Sequence, residues 1–425
     1  AVRSPRVCAA TVAGGEAGTD AAAAAAVAAL PTVEEVLPGV PVLMSGMNGQ
    51  AIRAAATEFP SRKEVIDSIP KECFEKDTLR SMAYAATSTA MTLACGAVGL
   101  SGLIPMTWAA APLWLLYGAV TGTVATGCWV IAHECGHNAF SNNRKLQDTV
   151  GYILHTALLV PYFSWQRSHA IHHSKTNHTV DGETHVPYQY DAKGEGKVKL
   201  MGKVGAPYAV FRLFSHLVFG WPAYLLWGAT GGTSRGTTNH FIPTRPFSDA
   251  LFESKQWKKK VWLSDVGIVA MALGLAKWAS VAGIAKVLCV YALPLTFTNV
   301  WLVLYTWLQH TDTDVPHFEQ KDWNFIKGAL MTIDRPYGPV FDFLHHRIGS
   351  THVAHHVDCT IPHYHAKKAT EALKTTFPEY YLYDPTPVHK AMWRVARQCI
   401  AVKKEPAKAG PEGKDMYVFV PPASA

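Results

Sequence analysis

The sequence predicts an all-α integral membrane protein with four transmembrane helices, arranged as two hairpins, and a cytosolic helical cap. Two features of its composition predict this class. Apolar residues make up 49% of the 425 residues and charged residues only 17%, below the roughly 25% charged content of soluble domains. The 13 Trp and 16 Tyr residues are also typical of proteins that contact membrane interfaces.

Four segments are long enough to cross a bilayer as helices, which takes about 20 predominantly apolar residues. A short linker joins each pair, around residues 104–107 and 283–286, so each pair forms a hairpin. The hairpins leave both chain ends and the central region 133–261 on one side. That side carries nearly all the Lys and Arg residues, which indicates the cytoplasm. The four segments are residues 82–104, 109–132, 262–284 and 286–309.

The rest of the sequence divides the chain into three parts. Residues 1–58 are expected to be a disordered, Ala-rich N-terminal segment, because such a composition rarely forms a packed core. Residues 59–395 are expected to form the functional domain, followed by a C-terminal tail over residues 396–425. Two weaker apolar stretches, residues 151–163 and 217–229, are short or interrupted by Pro, so we expect them in the membrane interface.

Charge and cysteine content exclude several classes of function. The formal net charge is only +7, and no stretch interleaves basic and aromatic residues, so nucleic acid is not an expected partner. The eight cysteines are scattered and contain no C-x-x-C pair, so neither a disulfide framework nor a zinc ribbon is indicated. Histidine is the unusual residue, because there are 20 and they cluster.

Three compact histidine clusters lie in the predicted cap. HECGH has its histidines four residues apart, and HAIHH and HVAHH repeat offsets of three and four residues. On a helix these offsets place the imidazoles side by side on one face. Eight nitrogen donors are too many for one tetrahedral zinc and suit two metal ions with open positions. The clusters are His133 and His137; His169, His172 and His173; and His352, His355 and His356.

His310 ends the fourth apolar segment just as the first cluster ends the second, so it is a candidate ninth ligand. Imidazole binds Fe, Cu, Ni and Zn, so the ligand type alone does not name the metal. An acyl chain could reach a site at the mouth of the helix bundle, where iron could activate O₂ against a C–H bond; zinc has no redox chemistry. We expect His155 and His216 to pack in apolar surroundings, and the pair His345 and His346 to lie behind the ligands or at the surface.

The clusters and their surroundings resemble the membrane-bound fatty acid desaturases over about residues 60–390, on the stretches VPYFSWQRSHAIHHSKTNH and STHVAHHVDCTIPHYHAKKATEAL. The chain is similar to the plant-type Δ12 (omega-6) oleate desaturases in HECGH and HVAHH, where omega-3 members usually have HDCGH and HVIHH. It departs from that group in HAIHH and in VDCTIPHYHA, which indicates an algal or protist member.

The resemblance implies a non-haem di-iron centre held by the eight clustered histidines, with His310 as a further ligand. It implies that O₂ and two electrons convert oleoyl to linoleoyl chains on membrane lipids. The chain contains no H-P-G-G segment of a fused cytochrome b5, so the electrons are expected from separate proteins. These are cytochrome b5 and its reductase in the endoplasmic reticulum membrane, which we favour, or ferredoxin if the Ala-rich N-terminus directs the chain to a plastid membrane.

Three alternatives stay open. An omega-3 desaturase, hydroxylase, acetylenase or conjugase of the same family would use the same clusters. HECGH also matches the H-E-x-x-H pattern of zinc proteases, in which Glu134 would be the general base. An intramembrane protease would also need a membrane-embedded Asp, and Asp265 is the only one inside a predicted segment. The third alternative is a non-catalytic metal-binding relative.

Overall fold

The computed structural model describes residues 16–40, 42–189, 195–408 and 414–420. Most of them are helical, and three short strands form a small sheet. The helices are α1 Glu16–Ala28, α2 Val33–Val36, α3 Gln50–Ala55, α4 Arg62–Ser68, α5 Thr78–Leu100, α6 Ala111–Gly136, α7 Arg144–Ala157, α8 Tyr162–Ser174, α9 Glu195–Val204, α10 Ala206–Trp227, α11 Lys255–Ala282, α12 Ile284–Val287, α13 Leu293–His310, α14 Phe325–Leu330, α15 Pro339–Leu344, α16 His352–Val357, α17 His363–Thr376 and α18 Val388–Gln398. The strands are β1 Tyr188–Gln189, β2 Ala401–Pro406 and β3 Asp415–Phe419.

Four long apolar helices, α5, α6, α11 and α13, form the bundle, and each of the four predicted segments is largely helical, although the first ends at Leu100 rather than at residue 104. A π-helical turn joins α12 to α13, so helical structure runs without a break from Ile284 to His310. Among the described residues, five helices are long and apolar enough to cross a membrane, and the fifth is α10. We call the described residues outside the bundle and outside α10, within 16–77, 137–205, 228–254 and 311–420, the cap.

Close packing of α6 on α13 brings two histidine-bearing helix ends together. A Cβ atom on Gly118 would lie 2.5 Å from Leu293 Cγ, and one on Gly122 would lie 2.4 Å from the Pro294 carbonyl oxygen. Thr298 Oγ1 donates a hydrogen bond to the Gly122 carbonyl at 3.1 Å. Small residues at such a contact let two apolar helices approach closely. The C-terminal ends of both helices therefore meet under the cap.

α10 is longer than the stretch 217–229 expected from sequence. Its first half bears Arg212, whose guanidinium donates to the carbonyls of Val395 at 3.2 Å and Ala396 at 3.0 Å on α18. Near its other end the Tyr224 hydroxyl donates to Glu183 Oε1 at 2.8 Å. Both ends of α10 therefore contact the cap. Its outer surface exposes large apolar side chains, including Val210, Phe211, Phe214, Phe219 and Trp227.

The expected disorder of the N-terminal segment does not hold for α2, α3 and the described residues between them. Ile52, Ala54 and Ala55 of α3 are fully buried in the cap core, together with Val353 of α16 and Leu373 of α17. Alternating small and branched apolar residues give this segment a packing surface that its Ala-rich composition conceals. α1 precedes it as a helix, and the expected disorder of residues 1–15 concerns a part of the chain outside the described residues.

The expected C-terminal tail and the purely helical fold class are also corrected. β2 pairs antiparallel with β3 and parallel with β1, so part of residues 396–425 belongs to a sheet. Val402 and Phe419 are buried and pack in one cluster with Trp307 of α13. After Asp415, β3 is a continuous apolar run that is buried on both faces: Met416 and Val418 pack in the cap core, and Tyr417 and Phe419 face the bundle helices, since successive side chains of a strand point to opposite sides. The sheet fixes the chain end beside the bundle.

Candidate metal centre

The first histidine cluster lies at the C-terminal end of α6. His133 is in the last turn and His137 follows as the C-terminal cap residue, with their Nε2 atoms 3.2 Å apart. Gly136 lies against the Trp165 ring of α8, where a Cβ atom would come within 2.6 Å of Cζ3. This close approach of α6 and α8 brings the first cluster onto the second.

The second cluster occupies α8, and its histidines point to two different places. His169 and His173 lie one turn apart, with their Nε2 atoms separated by 3.3 Å. His172 points away from them, and its Nε2 lies 3.1 Å from His310 Nε2 at the end of α13. Two sides of the last two turns of α8 therefore serve separate groups of imidazoles.

The third cluster lies on α16, a helix of six residues that are all buried. The His355 ring packs against His133 and His173, with ring centroids 4.7 and 4.6 Å away. His356 joins His172 and His310, and His352 Nε2 lies 2.9 Å from His310 Nε2. All nine histidines singled out from sequence thus converge.

The imidazoles form two groups whose candidate ligand atoms lie within 4.8 Å of one another. His352 contacts the second group through His310. At a metal–nitrogen distance of about 2.1 Å, two nitrogens on one ion lie about 3.0 Å apart at a right angle and about 3.4 Å apart in a tetrahedron. The Nε2 pairs lie 2.9 to 3.3 Å apart, so the spacing fits metal ions. The first group is His133, His137, His169, His173 and His355, and the second is His172, His310 and His356.

Hydrogen bonds and burial prepare these rings for a cation. His172 Nδ1 donates to the Glu183 carbonyl at 2.7 Å, which leaves the Nε2 lone pair free, as in most metal-bound histidines. His355 Nε2 and His356 Nε2 are buried without a hydrogen-bond partner among the described residues. Burial lowers the pKa of His172 to about 4 and those of His355 and His356 well below their usual value. These three imidazoles are therefore neutral at physiological pH, as a ligand must be.

A mainly apolar cavity of about 260 Å³ borders both groups, because His169 of the first and His172 of the second line its wall. Hydroxyl groups and the rings of His185 and His216 line another part of the wall. The cavity lies between α10, α13 and α6, beside the exposed apolar surface of α10. Its apolar wall comprises Trp129, Trp165, Phe219, Trp221, Leu302 and Val303.

This arrangement agrees with the comparison to known proteins. A sequence model of the family described as Fatty acid desaturase matches residues 106–387. The chain belongs to the fatty acid desaturase family. The desaturase is 40% identical over 360 residues to the Delta(12)-fatty-acid desaturase of Vernicia fordii, an alignment that covers 83% of this chain and 89% of that protein.

Two further relatives have different names. The omega-6 fatty acid desaturase, endoplasmic reticulum isozyme 2, of Glycine max is 41% identical over 353 residues, with coverage of 81% and 88%. The oleoyl-12-hydroxylase of Ricinus communis is 37% identical over 350 residues, with coverage of 81% and 86%. The desaturase is therefore an oxidoreductase of a family that includes hydroxylases.

The zinc-protease hypothesis for HECGH is wrong. The Glu134 carboxylate is buried and lies on the Nδ1 side of the His133 ring, 3.7 Å from that nitrogen. Its other oxygen accepts the backbone N–H of His363, the first residue of α17, at 2.8 Å. A protease base would have to face a metal-bound water, whereas this carboxylate lies behind the His133 ring and is held by the His363 N–H. Glu134 links α6 to α17 in the desaturase.

Of the histidines outside the two groups, some pack against neighbouring side chains and others line the cavity. His155 is buried between Trp129 and Trp165, as expected of a packed residue. His345 and His346 lie behind the ligands: His345 bonds to Tyr305 and His346 to Ser88.

Two functional features were missed by reasoning from sequence. His185 has a left-handed backbone, lines the cavity and stacks on His310 with centroids 5.9 Å apart. His363 supports Glu134. Each is an isolated histidine in a polar stretch, and no local spacing distinguishes it from a surface residue. Only the three clusters had a repeated pattern that could be recognised.

Proposed function

We propose that the desaturase introduces the Δ12 double bond into oleoyl chains of membrane lipids and releases linoleoyl chains. The observation that supports this best is the apolar cavity that reaches both imidazole groups from the exposed apolar surface of α10. The relatives named Delta(12) and omega-6 desaturases favour the same bond position.

The nine histidines would hold two irons, five nitrogens in the first group and up to four in the second when His352 is included. A di-iron centre supplies the oxidation of C–H bonds by O₂, which amino acid side chains cannot perform. The chain's own residues bind the acyl chain in the cavity, hold its methylene groups beside His169 and His172, and keep bulk water away through the tryptophan-lined wall.

The proposed topology has four membrane-spanning helices, α5, α6, α11 and α13, as two hairpins with the cap in the cytosol. α10 is apolar enough to span, but both of its ends contact the cap through Arg212 and Tyr224. We therefore place α10 in the membrane interface, with its exposed phenylalanines in the lipid. This position gives acyl chains of bilayer lipids a short route into the cavity.

Electrons would come from cytochrome b5 and its reductase in the endoplasmic reticulum membrane, the location named for the Glycine max relative; a plastid enzyme would use ferredoxin. Desaturation consumes O₂, two electrons and two protons and releases two waters. Hydroxylation consumes the same reactants and releases one water and an alcohol. The Ricinus communis relative makes a hydroxylase the second candidate, since the two outcomes differ only in the fate of the oxidised carbon.

Expression in a yeast that makes oleate but no linoleate tests the proposal. Gas chromatography of the total fatty acids is expected to show linoleate in the strain with the wild-type protein. The strain that carries His172→Ala is expected to contain none. Accumulation of a 12-hydroxy acid would identify the hydroxylase instead. Production of a trienoic acid from added linoleate, without product from oleate, would identify an omega-3 enzyme. An unchanged fatty-acid profile would contradict the proposed function.

A further inference from the structure

Two adjacent buried residues that belong to no histidine cluster contact α13 and α16, the helices that carry His310 and His352. Asp334 and Arg335 lie in the loop between α14 and α15, and neither is exposed to solvent. Their backbone is fixed by the loop before α18: Asp334 N–H donates to the Leu382 carbonyl at 3.0 Å, and its own carbonyl accepts from Asp384 N–H at 3.1 Å. The backbone of Asp334 and Arg335 is thus held in place by the loop before α18, close to the second group of imidazoles.

Asp334 holds the start of α16. Its Oδ1 accepts the backbone N–H of Val353 at 2.9 Å, one residue after His352, and its Oδ2 accepts the Tyr381 hydroxyl at 2.9 Å. The N-cap residue of α16, Thr351, makes no side-chain cap hydrogen bond. A helix of six residues has little intrinsic stability, and its first N–H groups need acceptors. Asp334 supplies the cap that Thr351 does not.

Arg335 holds the end of α13 on both sides of His310. Its Nε donates to the Leu308 carbonyl at 2.9 Å, and its Nη2 donates to Asp312 Oδ2 at 2.7 Å. Its remaining terminal nitrogen pairs with Asp384. Arg394 of α18 also bonds to both carboxylates. Two arginines thus balance two aspartates in the interior, which is the condition for such charges to be tolerated there.

The contacts of Asp334 with α16 and of Arg335 with α13 both affect the distance between the His310 and His352 rings. His310 and His352 come from elements 42 positions apart, and their Nε2 atoms lie 2.9 Å apart. Neighbouring residues of one rigid loop hold those elements, so a single peptide unit sets the spacing of the two rings. Metal–nitrogen distances tolerate a deviation of about 0.2 Å, so a small shift of either element would spoil the second group.

We propose that Asp334 and Arg335 are positioning residues that fix His310 and His352 and thereby secure the metal of the second group. This inference rests on the proposed function, since it takes the metal to be iron. Four of the five first-group histidines lie on α8 or at the C-terminal end of α6, and the side chains of Asp334 and Arg335 bond to neither helix among the described residues. Loss of the loop contacts therefore affects the two metals unequally.

The test is the iron content of the purified full-length protein in detergent, measured by plasma mass spectrometry. Asp334→Ala is expected to lose one of the two irons and to keep its helical circular dichroism. Asp334→Asn is expected to keep both, because the amide oxygen still accepts from Val353 and the amide nitrogen can donate to Tyr381. Asp342→Ala is the matched control: the carboxylate of Asp342 on α15 accepts from Arg347 and Ser350 in the segment that follows the helix, and its loss should leave both irons.

Two irons in Asp334→Ala, or an equal loss in Asp342→Ala, would overturn the proposal. Tyr381→Phe gives a second measurement that does not depend on the folding of the alanine variant, because it keeps the carboxylate and removes one of its partners. It is expected to release one iron faster to a chelator than the wild type does, and an unchanged release rate would contradict the positioning role. A wild type with two irons but no linoleate would refute the proposed function alone.

Discussion

Gly220 on α10 offers the sharpest test of the cavity as the acyl-chain site. A Cβ atom at this position would lie 3.5 and 3.7 Å from the Val303 methyl groups and 4.0 Å from His216 Cγ, all ordinary contacts. Gly220→Ala should therefore fold, and the helix should gain up to about 1 kcal/mol from the better helix former. Gly220 and Val303 both line the cavity, so a larger side chain must enter it.

The magnitude follows from the volume that the acyl chain loses. Leucine adds three carbons beyond Cβ, which displace about three methylene groups of the substrate. At about 0.8 kcal/mol per buried methylene, binding weakens by about 2.4 kcal/mol, which is about fiftyfold at 1.4 kcal/mol per tenfold. Gly220→Leu should therefore lower the rate of linoleoyl formation at limiting substrate about fiftyfold, with iron content unchanged.

The assay is conversion of oleoyl lipid in microsomes, normalised to the amount of iron-loaded protein. Gly274→Leu is the control, because a side chain at Gly274 of α11 meets nothing within 4 Å in the chain. It should leave the rate unchanged. A wild-type rate for Gly220→Leu would refute the placement of the acyl chain, and an equal loss in Gly274→Leu would mean that the effect arises from folding.

Three further predictions concern single residues. Glu134→Gln should keep both irons and linoleate formation within a few-fold of the wild type, since the amide oxygen still accepts from His363; loss of all product would indicate a proton-transfer role. His310→Ala should lose second-group iron and linoleate, while His155→Ala should bind both irons, as metal analysis will show. Burial lowers the pKa of His240 to about 4, so the unfolded chain binds that proton more readily and the metal-free protein loses stability as pH falls from about 6.5 to 4. His240→Asn should reduce this loss in thermal melts at pH 7.5 and 5.0, and an unchanged pH dependence would contradict it.

The histidines that converge in the structure can be found in the sequence because helical offsets within a cluster are local. The spacing of three and four residues is enough to place His169, His172 and His173 on one part of α8. How the clusters divide between two groups is not local. His169 and His172 belong to different groups because His169 meets the histidines at the end of α6 while His172 meets His310 at the end of α13, and α16 contributes one histidine to each group. That division depends on packing far along the chain.

The errors in the predicted fold have equally physical causes. The start of α10 was missed because Arg212 and His216 interrupt its apolar run, yet the Arg212 guanidinium finds carbonyl partners on α18. The N-terminal segment appeared disordered because alanine dominates its composition, yet Ile52 and its neighbours complete the cap core. In both cases a tertiary partner supplies what the local sequence lacks.

The most direct measurement of the central claim is the metal content of the purified wild-type protein beside its product. Two irons per chain, together with linoleate as the product from oleate, are the predicted result. One zinc per chain, or two irons without any oxidised fatty acid, would contradict the account of the two histidine groups as a di-iron Δ12 desaturase centre.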